Sequence, residues 1–155
     1  MNGRGIPKKT EAMPEGEIIV GKFLHDDGQG YAHLWSMVGP MVSQQTVASR
    51  LGAPITTKIG DHWFVATVGG VVFGCAILTP FARGTGKVHG LYVKPYEPEN
   101  PLYSVLLQMV AKEAKGLGIE QLRHTTLLTF GKVMADNGWK MGTGRGKYMT
   151  FEKEI

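Results

Sequence analysis

From His62 to Val93 the apolar residues come in three short runs separated by glycine turns, and from Pro101 their spacing becomes that of a helix. His62 to Val68, Val71 to Thr79 and Lys87 to Val93 have strand length. The sequences between them, Gly69-Gly70 and Arg83-Gly84-Thr85-Gly86, are tight-turn sequences. This stretch reads as an antiparallel meander. In Pro101 to Lys115, by contrast, Leu102, Val105, Leu106, Met109, Val110 and Ala114 recur at helical spacing. Asn100 is a good N-cap, and Pro101 sits where a first helical turn tolerates proline.

The rest of the chain fits around this switch of period. Glu17 to Leu24 reads as a first strand, and Gly30 to Val38 as a short helix stopped near Gly39-Pro40. Ser43 is an N-cap for a second helix through Leu51, closed by Gly52. After the long helix, Ile119 to Thr125 is a strand and Thr129 to Asp136 a helix ending at Asn137-Gly138. Trp139 to Met141 and Tyr148 to Glu152 form a last hairpin around Gly142, Gly144 and Gly146. Antiparallel strands followed by a βαβ unit predict an α/β (mixed α+β) architecture: a central mixed, mostly antiparallel sheet with helices on both faces.

The length of 155 residues suits one domain, expected over 17–155, and 43% apolar with 19% charged residues is ordinary for a soluble globular protein. Residues 1–16 carry glycine, proline and lysine with little to pack. They predict an extended arm that docks on another subunit. No run of apolar residues reaches the roughly 20 needed to cross a bilayer, and the start lacks the apolar core of a secretory signal. Cys75 is the single cysteine, so an internal disulfide and a cysteine-rich metal site are excluded. A reducing, cytoplasmic location is the expectation. The net charge of +4 is compatible with anionic partners, either coenzyme phosphates or nucleic acid, and the C-terminal group Lys132, Lys140, Arg145 and Lys147 is the densest basic region.

Three segments, in order, resemble the GNAT superfamily of N-acyltransferases. Asp61 to Leu78 resembles the family's hairpin, Val88 to Leu122 its central strand, cofactor loop and helix, and Phe130 to Ile155 its closing helix and hairpin. The resemblance implies acyl-CoA-dependent transfer to an amine, with acetyl-CoA as the cofactor. It implies that the pantetheine arm pairs with backbone groups near Leu91, Tyr92 and Val93, and that pyrophosphate sits at the start of the following helix. The chain departs from the pattern there. The family's basic-x-x-Gly-x-Gly loop is replaced by Pro98-Glu99-Asn100-Pro101-Leu102-Tyr103, which has no glycine or arginine. The N–H groups of Leu102, Tyr103 and Ser104, with the Ser104 hydroxyl, are what remains for a reduced anion site. The family's acid, a tyrosine in the last helix, is matched near Met134, so Tyr148 or Tyr103 is its candidate substitute.

His89, two residues before Leu91, is the candidate general base, since its ordinary pKa suits deprotonating an ammonium. Against this stands the plainer reading of a hydrogen-bonded strand histidine. His124 and Thr125 end a strand at an edge where α/β proteins build sites, and are candidates to orient substrate. His33 and Trp35 read first as packing residues. His25 with Asp26 and Asp27 reads as a turn, and no metal site is expected. Arg83-Gly-Thr-Gly and Gly142-Thr-Gly-Arg-Gly are turns rather than phosphate loops, because neither joins a strand to a helix.

The alternative to an enzyme is a GNAT-fold structural or interaction protein that has lost catalysis. The chain also resembles short phage GNAT-like proteins, some of them virion components. Pro98-x-Asn100-x-x-x-Ser104 is similar to a loop of Mom-type phage DNA-modifying proteins, which makes acyl modification of a nucleobase a third option.

Overall fold

A computed structural model describes residues 16–26 and 28–155. The expected arm therefore lies outside the described residues except for Gly16, as does Asp27. Among the described residues seven strands form one sheet. They are β1 (Ile18–Leu24), β2 (His62–Val68), β3 (Val71–Pro80), β4 (Thr85–Val93), β5 (Gln121–Leu127), β6 (Lys140–Arg145) and β7 (Tyr148–Glu154). Their order is β1-β2-β3-β4-β5-β7-β6, and every pairing is antiparallel except β4 with β5. The expected mixed, mostly antiparallel sheet is present.

Helices cover both faces. Alternation along β2 sends Phe64 and Ala66 to one face and Trp63 and Val65 to the other, all of them buried. On the first face lies α3 (Pro101–Gly116), whose Leu102, Leu106 and Val110 pack on Phe64, Leu78 and Leu91, with Phe130 and Met134 closing the layer. On the second face α1 (Gln29–Val42) and α2 (Gln45–Leu51) press Leu34, Val38 and Val47 against Trp63, Ile77 and Tyr92. Each of these large side chains contributes about 1.5–3 kcal/mol on burial.

Several boundaries differ from the sequence reading. α1 continues through Gly39-Pro40 to Val42. Pro40 lies in the last turn and supplies no N–H for Ser36 O, a loss offset by the burial of Gly39, Met41 and Val42. Ser43 closes α1 by donating its N–H to Gly39 O, 3.0 Å, and the N-cap of α2 is Gln44. Gly52 closes α2 as expected, in the left-handed region at φ 85. The last helix divides into a 3-10 turn (Leu128–Phe130) and α4 (Gly131–Asp136). The closing hairpin turns only at Gly146, so β6 runs on through Gly142 and Gly144.

Candidate functional site

The feature that makes a site is a fork. β4 and β5 pair in parallel over Thr85–Val88 and Gln121–His124 and then separate. The register between β3 and β4 slips between Cys75 and Ile77, leaving Gly90 and Leu91 opposite Ala76 alone. Gly90 adopts φ 58 in this bulge, and a Cβ there would stand 3.0 Å from Ile77 Cδ1. A bulge bends the strand that carries it, and here the bulge begins two residues past the last β4–β5 pair. The gap holds a cavity of about 280 Å³ lined by His89, Leu91, Tyr96, Thr126 and Tyr148, among others.

The open edge of β4 faces this gap. Lys94 N–H donates to Phe73 O, 2.9 Å, so the alternation of an antiparallel ladder turns the Tyr92 amide toward β3 and the Val93 amide toward the gap. Leu91 stands in the bulge with its side chain buried in the α3 layer. The three residues singled out for backbone pairing therefore differ: Tyr92 is committed to β3. Its side chain belongs to the α1 face, where its hydroxyl accepts from Arg50, 3.1 Å.

At the crotch of the fork two histidines occupy opposite conditions. His124, the last residue of β5 paired with β4, is 4% exposed. Its Nδ1–H donates to Val88 O, 3.0 Å, across the strand pair, and Nε2 lies 3.0 Å from Tyr103 Oη. Burial, partly offset by the Val88 carbonyl, pulls its pKa down to about 4, so it stays neutral near pH 7. It ties the two strands together at the wall of the cavity, and its neighbour Thr125 bonds Thr150, 2.8 Å.

His89 is a quarter exposed, with 24% of its side chain accessible. Its Nε2 lies 2.7 Å from Thr79 Oγ1, which donates to Asp61 Oδ1, also 2.7 Å. Asp61 is 1% exposed, and its other oxygen accepts from Lys58 N–H, 3.0 Å, and Thr57 Oγ1, 3.2 Å. Desolvation lowers the His89 pKa below its ordinary value. Asp61 opposes that shift, while Lys87 and Lys58 add to it. The structure thus shows the plain reading, a hydrogen-bonded strand histidine.

Tyr148 opens β7 at the cavity's rim, its hydroxyl against the α2 C-cap, where a Cβ on Gly52 would clash with it. Tyr96, on the loop after β4, stacks on Tyr92 at 5.2 Å and meets Phe130 at 4.9 Å. Burial pushes its hydroxyl up to about 12, opposed by a hydrogen bond with Thr126. Tyr103 is excluded as an exposed acid. It is fully buried, its hydroxyl lies between His124 and Thr126, and burial drives it well above the ordinary tyrosine range.

The start of α3 also departs from expectation. Asn100, 2% exposed, accepts the Leu102 N–H on its side chain (3.0 Å) and the Tyr103 N–H on its carbonyl (3.1 Å). Its Nδ2 donates to Pro95 O, 2.8 Å, which fixes the cap. Two donors expected to stand free for an anion are therefore occupied, and Pro101 supplies none. Ser104 Oγ accepts from Asn137 Nδ2, 3.0 Å.

The sequence reading missed Asp61, Thr79 and Tyr96. Asp61 opens an otherwise apolar strand sequence, a signal that a buried carboxylate is being placed, but its link to His89 needs the β2-β3-β4 register. His33 and Trp35 are exposed on α1 rather than packed in the core, His33 touching Phe23 at 6.0 Å between ring centroids and Trp35 edge-on to Trp63 at 6.2 Å. His25 stacks on Tyr31, and Asp26 accepts from Gly28 N–H, 2.9 Å. Among the described residues no helix is long and apolar enough to cross a membrane.

No family model matches the sequence, and no curated protein matches it. Solved structures do match. An acyl-CoA N-acyltransferase from Pseudomonas aeruginosa superposes with a TM-score of 0.66 at 10% identity, over 88% of this chain and 99% of that one. The AHL synthase LasI gives 0.67 at 12% identity, over 90% and 91%. N-acetylglutamate synthase from Neisseria gonorrhoeae, solved with coenzyme A and N-acetyl-glutamate, gives 0.57 at 17% identity over 92% of this chain. The chain spans only 36% of that synthase's length, and 60% of PaiA N-acetyltransferase from Thermoplasma acidophilum, solved with coenzyme A. At these identities the likeness is one of fold. With its forked β4–β5 pair and the seven-stranded sheet around it, the chain has the GNAT fold of the N-acyltransferases.

Proposed function

We propose that the chain is an acyl-CoA-dependent N-acyltransferase, and the observation that carries this is the fork with His89 at its crotch. An amine attacks a carbonyl only after losing its ammonium proton, so the site needs a base that is neutral at working pH. His89, its pKa lowered by desolvation, is that base. Acyl-CoA, acetyl-CoA being the simplest, supplies the acyl group as a thioester. The Val93 amide on the open edge of β4 is suited to strand-like pairing with an extended arm, and a backbone N–H on this edge to polarising the acyl carbonyl. Tyr148 Oη holds a proton at the cavity's rim for the leaving group. The residues fit the acyl and pantetheine portion. They do not form the usual pyrophosphate cradle, because Asn100 occupies the Leu102 and Tyr103 donors.

That occupied helix start favours a second reading, a GNAT fold that no longer transfers acyl groups and serves in binding. Release of the coenzyme thiol from acetyl-CoA, measured against a panel of amines, separates the two. Amine-dependent release that falls with His89→Gln supports the transferase. A well-folded chain that releases no thiol with any amine supports the binding module.

A further inference from the structure

The buried carboxylate of Asp61 divides its work between its two oxygens. Oδ2 holds the loop before β2, taking the Lys58 N–H and the Thr57 hydroxyl. Oδ1 takes Thr79 alone, and the Thr79 oxygen reaches His89. Anchoring the loop explains Oδ2 but leaves Oδ1 without a reason.

Counting protons gives one. An ionised carboxylate only accepts, and a threonine hydroxyl has a single proton to donate. The Thr79 proton goes to Asp61, so its oxygen meets His89 with a lone pair, and His89 Nε2 is the donor. A neutral imidazole carries one N–H, which leaves Nδ1 bare. The same count runs out the other side. Thr57 gives its proton to Asp61, accepts from Trp63 Nε1–H at 2.9 Å, and takes His25 Nδ1–H at 2.8 Å.

We propose that Asp61 and Thr79 are positioning residues that fix His89 as the Nε2–H tautomer and keep its proton-accepting lone pair on Nδ1. This rests on the reading of His89 as the base. When Nδ1 takes the ammonium proton, the imidazolium stays hydrogen-bonded through Nε2–H to Thr79, with Asp61 Oδ2 4.0 Å from Nε2. The charged groups facing His89 are Asp61, Lys87 and Lys58, and the nearby His124 is neutral. Asp61 is therefore the only one of them that favours the protonated ring.

The test uses the full chain, with His89 followed by nitrogen-15 NMR of the imidazole. In the unaltered protein Nε2 is protonated and Nδ1 bare. In Asp61→Asn the side-chain oxygen stays with Lys58 N–H and Thr57, so the NH₂ faces Thr79. The Thr79 proton then turns to His89 Nε2 and moves the ring's proton to Nδ1. Amine-dependent turnover falls on the order of 10²–10⁴-fold, as for a base held in the wrong tautomer. Should Asp61→Asn fail to fold, Thr79→Val removes the fixed tautomer and Thr79→Ser restores it. Finding Nδ1–H in the unaltered protein overturns the relay, as does an unchanged tautomer in well-folded Asp61→Asn or Thr79→Val. The expected tautomers with no transfer to any amine uphold the relay and overturn the acyl-transfer reading.

Discussion

The two ends of the fork are built on opposite plans. At the crotch, polar groups from three segments are linked: Asp61 just before β2 and Thr79 in β3 lead by hydrogen bonds to His89 in β4, which lines the cavity. At the start of α3, polar groups are turned inward, with both hydrogen-bonding atoms of the Asn100 side chain engaged by the chain itself. Both ends satisfy their buried polar atoms, as they must. Only at the first does a partly exposed side chain, His89, keep a ring nitrogen with no hydrogen bond among the described residues. The difference teaches that this fold can gather polar side chains at the crotch while the start of α3 spends its own within the chain.

Substitutions at each end sharpen the contrast, and the largest effect belongs to the crotch. His89→Gln lowers amine-dependent acyl transfer about 10²–10⁴-fold while leaving denaturation midpoints nearly unchanged. The acid limb of the kcat/KM profile lies below 6.5, since a protonated His89 accepts no proton and its pKa is lowered from that value. An acid limb above 6.5 breaks the assignment.

Next comes the buried histidine of the fork. Folding holds His124 near a pKa of about 4, against 6.5 ordinarily. The unfolded chain therefore binds the extra proton between these values. The stability this gives is fully present above pH 6.5 and is lost as pH falls toward 4, by about 3 kcal/mol at most. Urea denaturation at pH 7 and pH 4.5 measures it, and His124→Phe flattens the difference.

The α3 end responds in stability rather than turnover. Asn100→Ala removes the cap and costs about 1–2 kcal/mol, read as a fall of a few degrees in Tm, with turnover of the folded protein within about twofold. A large loss of acyl-CoA affinity in this variant instead makes the cap part of the binding site. The smallest effect is at the rim. Gly52→Ala meets Tyr148 Oη and a φ of 85, costing about 1 kcal/mol and displacing Tyr148 from the α2 C-cap.

The order of elements was readable because the period of the apolar residues changes where the architecture does, from the strand runs of 62–93 to the helical spacing of 101–115. Asn100 and Pro101 marked the start of α3 from local chemistry alone. Local chemistry misled at Gly39-Pro40, where burial of Met41 and Val42 carries α1 onward. It also could not show that Asn100, a good cap, would occupy the donors an anion needs. His89 was legible as a histidine on the central strand. Its partners were not, because Asp61 and Thr79 meet it through strand register, 28 and 10 residues away in sequence.

Calorimetric titration of acetyl-CoA into the full chain tests the central claim most directly, with Ser104→Asp beside it. The account predicts saturable binding below millimolar concentration, and because the fork rather than the α3 start holds the ligand, Ser104→Asp weakens it only a few-fold. No binding to the unaltered chain at millimolar acetyl-CoA contradicts the account.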